Sequence, residues 1–437
     1  MKISVFGCGY LGAVHAACLT HLGHEVVGVD VVQEHVDALA RGRAPFYEPG
    51  LPEILEEALA SGRLTFTTDA SAAADARVHF ICVGTPQTPG DNAADLQYVN
   101  SAIDTLLPML KPGDVIAGKS TVPVGTAALL ADRVAAVQPT AEVVWNPEFL
   151  REGLAVQDTL HPDRIVYGMR TSDTAAAAVA VLDEVYAAPL ADGTPRIVGD
   201  LATAEMVKVA ANAFLATKIS FINAMSELCD VAGADVTLLA DAIGLDKRIG
   251  RQFLNAGVGF GGGCLPKDIR AFMSRAAELG VAQELRFLQE VDAVNMRRRV
   301  RMVELAREAC GGSLTGRRVA VLGAAFKPLS DDIRDSPALS ISAQMQLQGA
   351  LVKVTDPHAI DNARKKWPDL DYVATAEEAV VGAEVVLLLT EWEDYVTLDP
   401  AALAGLVEAP YIIDGRNCLD PERWRAAGWR YRAIGRS

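Results

Sequence analysis

Three glycines, Gly7, Gly9 and Gly12, follow the first apolar run, Ile3–Phe6, and open a helical pattern over Leu11–Leu22. A G-x-G-x-x-G spacing between a strand and a helix restricts the fold more than any other feature of the chain. The first glycine makes a tight turn, the second lets a pyrophosphate approach the backbone, and the third lets helix and strand pack closely. The helix N-terminus, here Tyr10 and Leu11, then holds phosphate charge. Asp30 ends the next strand, Glu25–Val29. A carboxylate about twenty residues after the glycines accepts hydrogen bonds from ribose hydroxyls and repels a 2′-phosphate, so NAD is expected over NADP. Taken alone, Asp30 is also an ordinary strand-end turn residue. Val83-Gly84-Thr85-Pro86 and Ser120-Thr121-Val122-Pro123 mark two further strand ends. Ligands gather at the carboxyl ends of strands in open α/β sheets. Thr85, Pro86 and Thr121 are therefore candidate neighbours of cofactor or substrate, although turn formers need no ligand.

Short apolar runs go on alternating with helical patterns. Val78–Val83, Val115–Gly118 and Val143–Trp145 read as strands, and Gln33–Arg41 as a helix. Such alternation implies βαβ units and a parallel sheet. From about Ala202 strand character fades. Ala204–Ala240 reads as one long alanine-rich helical region, continued by Ile269–Leu279 and Glu284–Ala309, until Gly311-Gly312 breaks the pattern. A second βα series follows at Arg318–Leu322, Leu351–Thr355, Val385–Leu389 and Tyr411–Ile413. A chain of 437 residues accommodates about three domains. The expected class is α/β: two Rossmann-like parallel-sheet domains, 1–199 and 311–437, joined by a central long-helix domain, 200–310, suited to be a spine and a dimer interface.

The formal net charge is -16, from 56 acidic and 40 basic residues. Nucleic acid needs a basic field and is not an expected partner, whereas an anionic small molecule is compatible with a few gathered Lys and Arg. The seven cysteines, Cys8, Cys18, Cys82, Cys229, Cys264, Cys310 and Cys418, are scattered and odd in number. No disulfide framework is visible, so a reducing cytoplasm is expected. The chain starts on a strand, without a charged n-region or cleavage site, and no apolar run suits a membrane span. Histidines and cysteines show no metal-ligand spacing.

Cys264 stands apart in Gly259-Phe260-Gly261-Gly262-Gly263-Cys264-Leu265-Pro266-Lys267-Asp268. Most cysteines are small buried apolar residues, but neither these glycines nor these charges look like core. Pro266 suits a first helical turn, which puts Cys264 at a helix N-terminus, where dipole and N–H groups favour thiolate. Lowering a thiol pKa by about two units makes most of it nucleophilic at neutral pH. Hydride removal from an alcohol needs only a base and a dinucleotide. A nucleophilic cysteine serves aldehyde oxidation: the thiolate adds, the thiohemiacetal gives up a second hydride, and the thioester is hydrolysed. The second sheet, lacking its own G-x-G-x-x-G, could hold the nucleotide part of a substrate.

On these residues the chain resembles the UDP-glucose/GDP-mannose dehydrogenase family over essentially its whole length. The matching stretches are GCGYLG, STVPVGT, NPEFLREG (Asn146–Gly153), AEMVKVAANAFLA (Ala204–Ala216), GFGGGCLPKD, GAAFKPLSDDIRDSP (Gly323–Pro337) and IDGR (Ile413–Arg416). Arg248-Ile249-Gly250 with the stretch from Phe253 to Gly257 most resembles the UDP-glucose members. The resemblance implies an NAD-dependent, two-step oxidation of a UDP-sugar C6 alcohol to the carboxylate, UDP-glucose to UDP-glucuronate. It implies Cys264 as nucleophile. Lys208 and Asn212, four apart and so on one helix face, are implied to hold the oxygen that becomes alkoxide. Asp268 is implied to act through a water with Lys208 as base. The resemblance assigns Glu148 to thioester hydrolysis, with Thr121 ordering water, and Glu152 to a place near nicotinamide and sugar. It puts Lys267 and Arg334 on the cofactor side. Phe149, Leu150, Phe253, Asn255, Gly261, Phe326, Lys327 and Arg416 are implied around the nucleotide sugar. Arg248 is implied to reach the neighbouring subunit's site, hence a homodimer or a dimer-based oligomer.

Three positions depart from the family pattern. Gly263 replaces a usual serine, His35 stands where many relatives carry arginine or lysine near the adenosine ribose, and Arg151 stands where alanine is frequent. Other readings are a GDP-mannose or other nucleotide-sugar dehydrogenase, a two-electron hydroxyacid dehydrogenase releasing one NADH per substrate, and a nucleotide-binding regulator. The last would lack reacting residues, and none is missing here.

Overall fold

Apolar runs of four or five residues, too short for helices and mostly buried on both faces, make the inner strands of the first unit. In this computed structural model, which describes residues 1–436, the chain divides into two compact units. The first comprises residues 1–211 and 270–280, the second 212–269 and 281 onward. The first unit runs β1 (Lys2–Phe6), α1 (Tyr10–His21), β2 (Glu25–Val29), α2 (Gln33–Ala40), α3 (Leu51–Ala60), β3 (Leu64–Thr67), β4 (Val78–Ile81), α4 (Gln97–Leu106), β5 (Val115–Gly118), α5 (Thr126–Val137), β6 (Glu142–Trp145), α6 (Ala155–Leu160), β7 (Ile165–Gly168), α7 (Ala175–Val185), α8 (Ala187–Ala191), β8 (Arg196–Gly199) and the first turns of α9 (Leu201–Ala232). The strands form one eight-stranded sheet in the order β3-β2-β1-β4-β5-β6-β7-β8, parallel except where β7 meets β6 at Trp145 and Gly168. Successive strand residues face opposite cores: Val5 packs in the cluster that holds Val14 and Leu19 of α1, and Phe6 in the one that holds Ile103 of α4 and Leu130 of α5. The strand order reverses between β1 and β4, so the crevice at their carboxyl ends is where such a sheet takes its ligand.

The second unit contains the rest of α9, α10 (Val236–Gly244), the start of α11 (Leu265–Glu278), α12 (Phe287–Ala309), β9 (Arg318–Leu322), α13 (Pro337–Leu347), β10 (Leu351–Thr355), β11 (Asp371–Tyr372), β12 (Val385–Leu388), β13 (Tyr411–Asp414) and β14 (Arg430–Ala433). Its six strands are ordered β11-β10-β9-β12-β13-β14 and all parallel. The permutation is that of the first unit's leading six strands. A local device repeats with it. Gly7 N donates to Val29 O and Gly323 N to Thr355 O, each at 2.8 Å, and both glycines have positive φ, 87° and 116°. An aspartate follows the second strand each time: Asp30 accepts from Cys8 N at 2.6 Å, and Asp356 accepts from Ala324 N at 2.7 Å and Ala325 N at 2.9 Å.

The α/β class, the two Rossmann-like sheets and the long helices agree with the sequence. One expectation does not hold. The helical region expected over Ala204–Ala240 is two helices: α9 ends at Ala232, Gly233 turns with φ 70°, and Asp235 caps α10 by accepting from Thr237 N at 2.7 Å. A glycine followed by an aspartate is a stop and a start signal, hidden here by alanines on both sides.

Candidate active site

The glycine turn is built for close approach. Gly7 adopts φ 87°, which other residues rarely tolerate, and a Cβ on Gly12 would overlap the Gly7 carbonyl. A Cβ on Gly9 would meet nothing within 4 Å, so the backbone there faces open space. Gly9 precedes α1 without a side chain to cap it, which leaves first-turn N–H groups of Tyr10 and Leu11 for an anion. Besides Cys8 N, the Asp30 carboxylate accepts from Val32 N at 2.9 Å, so it braces the turn it was expected to complement. These residues fit a dinucleotide. His35 is half-buried on α2. Thr85 is buried and its hydroxyl donates to Thr121 O at 2.7 Å, while Ser120 donates to Val83 O at 2.6 Å. Two strand-end turns are thus tied together, with Pro86 exposed beside them.

Glu48, 2% exposed, was not legible in the sequence. Its carboxylate accepts from the Tyr10 hydroxyl, from Gly153 N at 2.6 Å and from Ala155 N at 2.7 Å. Burial, then Glu48, pushes the Tyr10 hydroxyl far above its ordinary range, so it stays a donor. Glu48 thereby fastens the glycine turn to the loop that carries Glu148, Phe149, Leu150, Arg151 and Glu152.

In that loop Glu148 Oε1 lies 2.9 Å from Lys208 Nζ, both side chains nearly buried, and Oε2 accepts from Leu150 N at 2.6 Å. The Phe149 ring has the Arg164 guanidinium 3.8 Å from its centre and Lys208 Nζ at 5.9 Å. Glu152 is half-buried, and the exposed Arg151 pairs with Asp158 at 2.6 Å. Lys208 is held in place from its own helix. Glu205, one turn earlier on α9 and 2% exposed, accepts from Gly125 N at 2.7 Å and Ala127 N at 2.6 Å and so caps α5.

The second unit holds the other candidates. Cys264 is exposed and immediately precedes α11, and its carbonyl accepts from Asp268 N at 2.9 Å. Asp268 is 2% exposed. Its carboxylate accepts from Asn212 Nδ2 at 2.7 Å and pairs with Lys267 Nζ at 2.7 Å. A basic acceptor with two donors is therefore fixed one turn after the thiol. The glycine loop is closely packed: a Cβ on Gly261 would meet the Asp335 carbonyl, one on Gly262 would sit 2.8 Å from the Phe326 ring, and one on Gly263 would displace the Arg334 guanidinium. Arg334 thus fills the space that the departure from serine leaves, and it also pairs with Asp332 at 2.7 Å. Arg416 is placed as a clamp: Nε donates to Leu389 O at 2.7 Å, Nη2 donates to Phe326 O at 3.1 Å, and Nε lies 3.1 Å from Glu391. It joins the ends of β9, β12 and β13. Lys327 Nζ lies 5.7 Å from the Phe326 ring centre. Phe253 is left-handed at φ 63°, a conformation that costs about 1–3 kcal/mol and marks functional loops. Asn255 is exposed and accepts from Arg251 at 2.7 Å, and Arg248, 89% exposed, pairs with Asp246 at 2.6 Å. Of the residues expected to react, Glu148 meets Lys208, and Asn212 meets Asp268. Lys208 and Asn212 share α9 one turn apart.

Among the described residues no group of three or more His, Cys, Asp and Glu side chains could hold a metal ion, and no helix is long and apolar enough to cross a membrane.

Family models match the chain in three consecutive stretches: the NAD binding domain of the UDP-glucose/GDP-mannose dehydrogenase family at residues 1–189, its central domain at 202–297 and its UDP binding domain at 320–421. The chain is similar to the UDP-glucose 6-dehydrogenase of Rhizobium meliloti, 41% identical over 439 residues that cover 100% of both. It is similar to a solved UDP-glucose dehydrogenase from the archaeon Pyrobaculum islandicum, with TM-score 0.90, 39% identity and coverage of 100% of this chain and 98% of that one. A solved UDP-D-ManNAc dehydrogenase from Pyrococcus horikoshii matches with TM-score 0.85 and 26% identity over 100% and 99% of the two chains.

Proposed function

The chain belongs to the UDP-glucose/GDP-mannose dehydrogenase family and is an NAD-dependent oxidoreductase, and we propose that it oxidises the C6 alcohol of UDP-glucose to the carboxylate of UDP-glucuronate. NAD supplies the hydride acceptor, twice per sugar, which makes this a four-electron oxidation. Lys208 and Asn212 steady the C6 oxygen as it becomes an alkoxide, a preorganised stabilisation worth several kcal/mol. Asp268 takes the alcohol proton through a water shared with Lys208. The Cys264 sulfur adds to the aldehyde carbon and holds it as a thiohemiacetal, then as a thioester. Glu148, with Thr121, directs water at the thioester carbon and the thiolate leaves. Per sugar, one water is consumed, two hydrides depart and three protons are released.

The observation that carries this reading is the exposed Cys264 at the head of α11, with Asp268 buried and doubly held one turn later. UDP-glucose is preferred as substrate because identity is 39% to the solved UDP-glucose dehydrogenase and 26% to the UDP-D-ManNAc one. Phe326, Lys327 and Arg416, at the carboxyl ends of the second sheet, are assigned to the UDP part, and 1–199, 200–310 and 311–437 to cofactor, central and UDP-sugar domains. Assembly as a dimer is supported by Phe214, Phe221 and Leu228 of α9, spaced by seven and 66%, 50% and 61% exposed. Arg248 is assigned to the neighbouring subunit's site. A cytoplasmic location accords with thiols of which none, among the described residues, is in a disulfide.

The test counts NADH released per UDP-glucose consumed. Two are expected from the wild type, and at most one from Cys264→Ala. One NADH per sugar together with a fully active Cys264→Ala variant would sink the covalent route. A kcat/KM more than about tenfold higher for GDP-mannose would overturn the substrate assignment.

A further inference from the structure

Lys119 directly follows β5 and is 7% exposed. A buried ammonium is almost always paired. Among the described residues no carboxylate lies within ion-pair distance of Lys119 Nζ. The nitrogen sits instead 5.7 Å from the ring centre of Phe80 on β4 and 5.6 Å from that of Tyr186, just after α7. Lys119 lines a cavity of about 50 Å³ together with His15, Asn146, Glu148 and Tyr186, room enough for ordered water. His15 is 1% exposed, and its Nε2 has no hydrogen-bond partner among the described residues. Tyr186 donates to Asn146 Oδ1 at 2.6 Å, so its hydroxyl is engaged elsewhere.

The charges around Lys119 come from several elements. Cys82 after β4, Glu148 after β6 and Lys208 on α9 all act on it, and Asp158, Asp163 and Arg164 line the same cavity. Burial, pushing the Cys82 thiol up to about 12, keeps it neutral. Burial first, and Lys119 second, holds the His15 imidazole well below its ordinary range. Two ammonium groups thus face one carboxylate, and that carboxylate is already held by Lys208 and Leu150 N. Lys119 is not needed to fix Glu148 in place. A buried, unpaired charge lowers stability, and such groups persist mainly where function uses them.

We propose that Lys119 is a positioning residue for the oxidation: across the shared cavity its ammonium orients the water that Glu148 directs. The inference rests on the role given above to Glu148. While Lys119 is charged, that water meets a positive group across the cavity from Glu148; when Lys119 loses its proton, the positive group is gone. Burial pushes Lys119 down to about 8, with Lys208 acting in the same direction and Cys82 and Glu148 opposing, so the switch falls within reach of physiological pH.

The experiment compares wild type, Lys119→Met and Lys119→Arg, following NADH formation from UDP-glucose between about pH 6 and pH 10, with melting temperatures across the same range. The wild-type kcat profile should bend near pH 8. In Lys119→Met the bend should vanish and kcat fall about tenfold or more, with both KM values nearly unchanged. Lys119→Arg, whose guanidinium stays charged, should restore most of kcat without the bend. Lys119→Met should also melt higher than wild type at neutral pH, because an unpaired buried charge is gone. The folded pKa lies below the unfolded one, so the wild type binds fewer protons folded than unfolded between about 8 and 10.5, and the gap in melting temperature should close over that window. An unchanged pH profile in Lys119→Met, or a variant that melts lower than wild type, overturns the proposal. Failure of the underlying function looks different: the wild type itself would not release two NADH per UDP-glucose, and the melting comparison would still decide whether Lys119 is held at a cost.

Discussion

Asp268 shows how a few short contacts make a reacting group. Its buried carboxylate is held from two sides, by Lys267 and by Asn212, each at 2.7 Å. Asp268→Asn should lower kcat by about 10²–10⁴ and lose about 1.5–3 kcal/mol of charge-assisted hydrogen bonding, read by steady-state NADH formation and thermal melting. A kcat within threefold of wild type would remove Asp268 from the alcohol step. Cys264 at a helix start and Lys208 with Asn212 on one helix face were read from spacing, while Asp268 and Glu148 were singled out through the family resemblance; the structure sets Glu148 beside Lys208 and Asn212 beside Asp268. Glu48 and Lys119 were legible by neither route. Glu48 bonds to residues 105 and 107 positions away, and no local pattern encodes such a contact. Lys119 reads as a polar turn residue, and only the packed structure shows its charge lying over two aromatic rings instead of in water.

Helix ends and strand ends set these groups against one another. Glu205 caps α5 from α9, one turn before Lys208, so two backbone N–H groups depend on one buried carboxylate. Glu205→Ala should cost about 1–3 kcal/mol, seen as a lower melting temperature, and should also reduce kcat because the turn carrying Lys208 loses its anchor. Loss of stability with kcat intact would mean that the cap is structural alone. Glu48 makes the analogous link between Tyr10 and Gly153, so Glu48→Gln should weaken NAD binding and turnover together in titration and kinetics. Among elements, β1, β2, β4, β5 and β9 could be read from their buried runs, which have no polar face. The two-residue β11 and the edge strands β8 and β14 could not, since edges carry little apolar signal. The break between α9 and α10 was missed because one glycine inside an alanine-rich pattern is tolerated by helix periodicity.

The molecule as a whole uses one strand permutation twice, in sheets of eight and six strands. Its long helix leaves an apolar stripe at Phe214, Phe221 and Leu228, and sedimentation should report at least a dimer that Phe214→Glu with Phe221→Glu converts to monomer. If Arg248 serves the neighbouring site, mixing Arg248→Ala with Cys264→Ala subunits should restore up to about a quarter of wild-type activity, the share of intact sites in a randomly assorted two-fold dimer. No recovery would keep Arg248 within its own subunit. The paired turns at Gly7 and Gly323 differ in one respect with a lasting effect. After Gly323, the amides of Ala324 and Ala325 are already spent on Asp356, whereas the stretch at Gly9 faces open space. The first copy leaves main chain open to a phosphate, and in the second that task would fall to side chains. A dinucleotide at the first copy would thus meet backbone at its pyrophosphate and a carboxylate, Asp30, at its ribose, whereas a ligand at the second copy would be open to retuning by exchange of single side chains.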